Sequence, residues 1–240
     1  VYKRQTDTNI DTISGLVFNA WGDRSFDAPY GVWFDGDWDK PRLDDPAIQK
    51  GLSDYAGLMQ AGPSDILSYN WNEAGNAFCN GQAAFFADAS LFGPWFETDE
   101  CPVSKGNTGY MALPPQAKGG TSYTANWQWG IGMGANAQEK DAGWYFIQYM
   151  TNKASEAVIG TFHGGAGRLS TWENDSYTST LNPDYVSATL ESMKTVRTSV
   201  VPVKDFNKYA LEIMDVILDI HGGASSEDAT AKGNANFKAM

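Results

Sequence analysis

An α/β fold is what this sequence predicts, on three observations. Apolar residues recur at helical spacing in several separate stretches. Between them lie short apolar runs, Ile13 to Phe18, Ala83 to Ala87, Gly109 to Leu113 and Trp129 to Gly134, which read as strands bounded by turn residues. The two kinds alternate along the chain, the order from which parallel sheets with helical crossovers are built. At 240 residues the chain is long enough for one large or two small cores.

The elements follow in order. Ile13 to Phe18 is expected as the first strand, and Asp35 to Asp45 as a polar turn region. Asp45 then caps a helix with Pro46 at its first position, where a missing N–H is harmless. Ile48, Leu52, Tyr55, Ala56 and Met59 give that helix its apolar stripe, and Gly62-Pro63 stops it. A second helix runs from about Trp71 to Cys79 and ends at Gly81. The run Ala83 to Ala87 is expected as a buried strand leading to Asp88. Gly109 to Leu113 is another, closed by Pro114-Pro115, and Trp129 to Gly134 a third. A helix containing Ala142, Phe146, Tyr149 and Met150 comes next. Asn182-Pro183 starts a helix with Tyr185, Thr189 and Met193 on one side. The clearest amphipathic stripe is Phe206, Tyr209, Ala210, Ile213, Met214, Ile217 and Leu218, ended by Gly222-Gly223; Ser226 is expected to cap a final helix.

Charge and composition restrict function. The formal net charge is −12, the wrong sign for a binder of nucleic acid or anionic lipid. Charged residues are few, at 19%, while nine Trp and eleven Tyr are available either as core or as stacking surfaces for sugars. No apolar stretch is long enough to cross a bilayer as a helix. Val1-Tyr2-Lys3-Arg4-Gln5 is polar with no apolar run after it, and the chain does not begin with Met, so it is expected to start inside a longer protein. Cys79 and Cys101 permit one disulfide in an exported protein, or one buried and one loop thiol.

Four constellations are candidates for chemistry. Asp35, Asp37 and Asp39 occupy alternate places as in a calcium loop, but Lys40 stands where the turn needs Gly and Pro46 where a bidentate Glu belongs, so a solvated turn is expected. Glu73, in Asn70-Trp71-Asn72-Glu73, has the look of a glycosidase carboxylate, yet no partner carboxylate can be matched to it. It also suits the first turn of a helix capped by Asn70 or Asn72. The run Asn126-Trp127-Gln128-Trp129-Gly130-Ile131-Gly132 offers indoles for stacking on a sugar beside glycines that admit close approach; the alternative is a Trp plugging a core. Last, His163-Gly164-Gly165-Ala166-Gly167-Arg168 lacks the Lys-Ser/Thr of a phosphate loop and reads either as a crossing that ends in a ligand-binding Arg or as a plain turn. With two His and no clustered Cys, neither a zinc site nor any other cofactor is expected.

The order of several stretches resembles a known family. These are Tyr30-Gly31-Val32-Trp33-Phe34-Asp35, the Asp45-Pro46 helix, and Trp71 to Gly81 running into Gln82-Ala83-Ala84-Phe85-Phe86-Ala87-Asp88-Ala89-Ser90. Gly109-Tyr110-Met111-Ala112-Leu113-Pro114, Trp129-Gly130-Ile131-Gly132 and the helix around Trp144-Tyr145-Phe146-Ile147 follow. Together, over most of Gly31 to Phe237, they resemble the extracellular solute-binding proteins of family 1, which feed sugars and polyols to ABC importers. The connection from Phe18 to Tyr30 is shorter than the family's usual helical one. The resemblance implies a periplasmic-binding-protein-like type II fold, with two α/β lobes and a ligand held in the cleft. It assigns residues 6–117 and 167–240 to the second lobe and 118–166 to a first lobe that is largely absent.

It also implies a non-catalytic, monomeric receptor, periplasmic or extracellular, with any signal or lipid anchor in the absent N-terminal stretch. Its partners are a sugar, polyol or oligosaccharide and the permease subunits of an ABC transporter. Asp88 falls where the family has a polar ligand contact at the end of a strand, Trp129 and Gly130 match its Trp-Gly run, and Arg168 its Arg after the Gly-rich crossing. Trp33, Trp95 and Phe206 fall near cleft-lining positions, Trp95 being equally acceptable as core. The rival reading is a glycosidase or lyase using Glu73 or Asp88, and a third is an adhesive lobe without a ligand.

Overall fold

The computed structural model describes residues 10–163 and 165–240; the first residues of the expected 6–117 segment and Gly164 lie outside the described residues. The described chain forms α1 (Ile10–Trp21), α2 (Pro46–Gln60), a 3-10 turn (Ile66–Ser68), α3 (Trp71–Cys79), α4 (Phe92–Phe96), β1 (Thr124–Asn126), α5 (Lys140–Thr151), α6 (Lys153–His163), α7 (Leu169–Trp172), α8 (Asp175–Thr178), α9 (Pro183–Met193), β2 (Val196–Thr198), α10 (Phe206–His221) and α11 (Ser226–Lys238). It divides into two compact units. One comprises Val1–Asp88, Ala112–Trp127 and Glu191–Met240; the other comprises Ala89–Met111 and Gln128–Leu190. These divisions follow packing within the chain. They fall elsewhere than 6–117, 118–166 and 167–240, the divisions that the family resemblance implies.

The first unit is built around α1, α2, α10 and α11. Ile13, Val17 and Phe18 of α1 meet Ile48 and Leu52 of α2 and Ile213 and Ile217 of α10, all with no exposed surface. The expected strand at Ile13 to Phe18 is therefore a helix. Its short β-branched run suggests a strand, but Ile10, Ile13, Val17, Phe18 and Trp21 fall at i, i+3, i+7, i+8 and i+11, one stripe of an α-helix, and that stripe is the buried one. α1 and α2 cross at Gly51, where a Cβ would come within 2.6 Å of the Val17 Cα, so only glycine allows the approach.

The caps of α2 and α3 form as read. The Asp45 side chain accepts the Ala47 N–H at 2.9 Å and forms a double hydrogen bond with Arg24 at 2.9 and 2.6 Å. Ser225, one residue before the expected Ser226, caps α11.

The unit's one sheet among the described residues pairs β1 and β2 in parallel, Thr124 with Val196, Ala125 with Arg197 and Asn126 with Thr198. Asn19 fastens α1 to the residue before β1: its Nδ2 donates to the Tyr123 carbonyl at 2.5 Å and its Oδ1 accepts the Tyr123 N–H at 3.0 Å.

The other expected strands are not strands. Residues 83–87, 109–113 and 129–134 pair with no strand among the described residues, and Phe85 is 92% exposed. Apolar content alone does not make a strand, because an extended backbone needs a neighbouring ladder to satisfy its N–H and C=O groups. Where no ladder partner is present these runs stay irregular and open.

The second unit packs Trp172, Tyr177, Tyr185 and Ala166 together, with Tyr110, Leu181, Val186 and Leu190 around them. Trp172 Nε1 donates to the Ala166 carbonyl at 2.7 Å. Glu97, just past α4, accepts from the Tyr110 hydroxyl at 3.0 Å and from Asn182 Nδ2 at 2.9 Å, tying α4 to the start of α9. Neither Cys79 nor Cys101 is a free thiol.

Candidate functional site

Asp88 ends the first unit in a bend after α3 and is exposed to solvent. The indole Nε1 of Trp71, at the first position of α3, donates to Asp88 Oδ1 at 3.3 Å. Trp71 is placed there by the cap of its helix. Asn70 Oδ1 accepts the Trp71 N–H at 2.7 Å, and Glu73 Oε2 accepts the Asn70 N–H at 3.0 Å, a reciprocal capping box. Glu73 thus holds a helix end, and the cap reading of this residue stands over the catalytic one.

Electrostatics draw in two further groups of the same unit. Asp11, in the first turn of α1, is pushed up to about 6, mainly by burial; the hydrogen bond from the Ser199 hydroxyl acts in the opposite direction, and the negative charge of Asp88 adds to the rise. The Tyr55 phenol is likewise raised, first by burial and then by Asp88. Behind them Trp33 Nε1 donates to the Ser199 carbonyl at 3.2 Å. Asp88 therefore holds the Trp71 indole as a donor, and its charge raises the titration of a second acid and a phenol in the same unit. The exposed Asp88 carboxylate can accept hydrogen bonds from neighbouring hydroxyls, and the Trp71 indole presents an aromatic face beside it.

The remaining expected residues are distributed as follows. Trp33 is 1% exposed and packed into the core of the first unit, so it is a core residue and not a wall open to ligand. Phe206, also in the first unit, opens α10 and packs partly against the same core. Trp95, in the second unit, is half-buried, packs at a tilt against Phe92 and Phe96, and donates from Nε1 to Glu100 at 3.1 Å. Trp129 is 78% exposed, which removes the reading of it as a core plug, and Gly130 has open space where a Cβ would stand. Arg168 Nε and Nη2 donate to the Thr151 carbonyl at 3.1 and 2.6 Å, with Glu156 3.4 Å away, so its guanidinium closes the C-terminal end of α5.

Asp11, Tyr55, Trp71 and Ser199 were not among the expected site residues. Trp71 alone had a signal, its place one residue after a cap and 17 residues before Asp88; the others are brought in from distant sequence.

No group of three or more His, Cys, Asp or Glu among the described residues is arranged to hold a metal. Asp35 pairs with Arg42 at 3.0 Å and Asp37 accepts the Asp39 N–H at 3.2 Å, the solvated turn expected of that loop. A cavity in the second unit, bordered by Glu97, Thr161, Asn182 and Tyr185, is about 150 Å³. That is smaller than the 300–1,000 Å³, roughly, of small-molecule sites.

Residues 3–157 match the family described as bacterial extracellular solute-binding protein, well over half of the chain, and the chain belongs to that family. It is 29% identical over 191 residues to the mannitol-binding protein of Pseudomonas aeruginosa, a match covering 76% of this chain and 40% of that protein. Its fold matches an ABC transporter solute-binding protein from Agrobacterium radiobacter K84 in complex with ribitol, with a TM-score of 0.78 and 18% identity over 98% of this chain and 58% of that one. It also matches maltose-bound MalE3 of T. maritima, with a TM-score of 0.75 and 19% identity over 97% of this chain and 57% of that one. The chain thus spans less than two thirds of each of these relatives. Over that span the periplasmic-binding-protein-like α/β fold stands as expected.

Proposed function

We propose that this chain is the ligand-recognising part of a non-catalytic sugar or polyol receptor that serves an ABC importer outside the cytoplasm. The observation that carries the reading is Asp88, exposed and oriented by the Trp71 indole, with Asp11 and Tyr55 close enough to feel its charge. A carboxylate so held accepts hydrogen bonds from two adjacent hydroxyls of a polyol, and the indole beside it covers the C–H side of the ligand. Family membership supports the class, and the mannitol, ribitol and maltose named for the relatives support the ligand chemistry. The absence of a free thiol suits an oxidising compartment. Trp129, Gly130, Trp95 and Phe206 remain proposed ligand contacts. Closure around the ligand would present a liganded form to the permease.

The enzyme reading loses one of its two candidates, because Glu73 is engaged in a capping box, and keeps only Asp88. The test is calorimetric titration with mannitol, ribitol and maltose, followed by chromatography of the recovered ligand. It is made on the chain and on a fusion supplying the remaining portion of the Pseudomonas aeruginosa mannitol-binding protein. Saturable heat with ligand recovered intact is expected from the fusion. Cleaved or altered ligand refutes the receptor reading, and no heat with any of the three refutes the ligand class.

A further inference from the structure

Trp129 stands in an irregular run, outside any helix or strand, and its ring is largely exposed. A ring so placed changes rotamer freely unless the backbone beneath it is fixed. Fixing matters for a stacking residue, because a side chain ordered only when the ligand arrives subtracts from affinity.

The residue before it shows what holds the run. The Gln128 side chain lies against Gly167, in the crossing that follows α6. A Cβ built on Gly167 would stand 2.8 Å from Gln128 Nε2 and 3.3 Å from its Cδ. The same Nε2 donates to the Trp129 carbonyl at 3.4 Å. The Gly167 backbone is not left-handed, so what glycine supplies here is room for that amide. Gly167 is itself held. Its N–H donates to Glu156 Oε1 at 2.9 Å, and Glu156 Oε2 accepts the hydroxyl of the fully buried Thr171 at 3.0 Å. Glu156 lies in the first turn of α6, where a negative charge also favours the helix. That effect alone would leave its carboxylate free to face solvent. Instead both oxygens are engaged, one with the crossing and one with α7. Gln128, Trp129, Glu156, Gly167 and Thr171 all belong to the second unit.

We propose that Glu156 and Gly167 are positioning residues for Trp129. The carboxylate fixes the Gly167 backbone, the bare face of Gly167 seats the Gln128 amide, and that amide sets the backbone from which the indole projects. The proposal rests on the reading of Trp129 as a ligand contact.

Gly167→Ala is the main test. It collides chiefly with the far end of an exposed, flexible side chain, so Tm is expected to hold while the Gln128 amide moves. The 240-residue chain is labelled with 5-fluorotryptophan, and the Trp129 fluorine resonance is identified by its loss in Trp129→Phe. Gly167→Ala and Glu156→Ala are expected to shift or broaden that resonance. Gln128→Ala is expected to do the same, and Gly167→Ala added to it to do nothing more, because the collision has then lost its partner. Gln128→Ala carries the test alone where Gly167→Ala lowers Tm. In the fusion receptor each of these variants is expected to weaken polyol binding about threefold or more. A Trp129 resonance that does not move overturns the proposal. Full additivity of Gly167→Ala and Gln128→Ala overturns it too, as does a moved resonance with unchanged affinity. An unsubstituted fusion that binds no polyol refutes the receptor reading instead, and that result is in hand before any variant is made.

Discussion

Asp11→Asn should stabilise the chain at pH 7.5 and do almost nothing at pH 4. Burial, with Asp88 nearby, lifts the Asp11 carboxyl from its ordinary 3.8 to about 6 in the folded state. A folded acid above its unfolded value binds protons more tightly than the unfolded chain does. Stability therefore falls as pH rises from about 4 to about 6, and the loss is complete above 6. The full displacement corresponds to ~3 kcal/mol. Asp11 is only part-buried, so solvent screening reduces this to roughly 1.5–2 kcal/mol.

Asn removes the charge, and its Oδ1 can still accept the Ser199 hydroxyl. It forfeits the interaction of a negative charge with the N-terminal end of α1, about 0.5 kcal/mol. The net gain at pH 7.5 is then about 1 kcal/mol, or a rise in Tm of roughly 2–4 °C for a chain of this size. Melting followed by circular dichroism at the two pH values measures it. An equal gain at both values, or destabilisation at pH 7.5, refutes the argument that Asp11 is held at the expense of its charge.

Three more outcomes can be checked. Asp88→Ala in the fusion receptor should weaken polyol binding by about 1.5–3 kcal/mol, the range for hydrogen bonds to a charged group, and unchanged affinity by calorimetry removes Asp88 from the site. Trp129→Ala should leave stability within about 0.5 kcal/mol, since the ring is 78% exposed, whereas Trp33→Ala should lose about 3–5 kcal/mol from the core; urea titration compares them, and equal losses contradict these placements. Arg168→Ala should cost about 1 kcal/mol and quicken amide exchange at the end of α5, where the Thr151 carbonyl loses its guanidinium; Arg168→Lys restores the charge but not the paired donors, and unchanged exchange in the Ala variant counts against the capping role.

Helices with local signals were legible in the sequence. α2 carries its cap and first-position Pro, α3 its Asn70 and Glu73, and α10 a stripe running from Phe206 to Leu218. Strands were not, because a strand is a property of two segments. Ala83 to Ala87 has the composition of a buried strand and lacks a ladder among the described residues, while Thr124 to Asn126, unremarkable in composition, pairs with Val196 to Thr198. Ile13 to Phe18 failed differently: six residues are too short a window to separate a period of 2 from one of 3.6, and Ile10 and Trp21, which complete the helical stripe, lie outside it. Asp88 stands out in the sequence by its place after an apolar run, and its ligand contact is a proposal. Asp11 and Ser199 pair with each other across 188 residues of sequence, and nothing local announces such a pairing.

The core of the first unit has a consequence for synthesis. Its apolar surface comes from Ile10 to Trp21 at one end and Ile213, Ile217 and Phe237 at the other. During synthesis α1 and α2 emerge an interval before α10 and α11, which close over them. At about 5–20 residues per second, that interval lasts roughly ten seconds or more. Throughout it, Ile13, Ile48 and Leu52 lack their α10 and α11 neighbours. Packing of this core completes only once α11 has emerged.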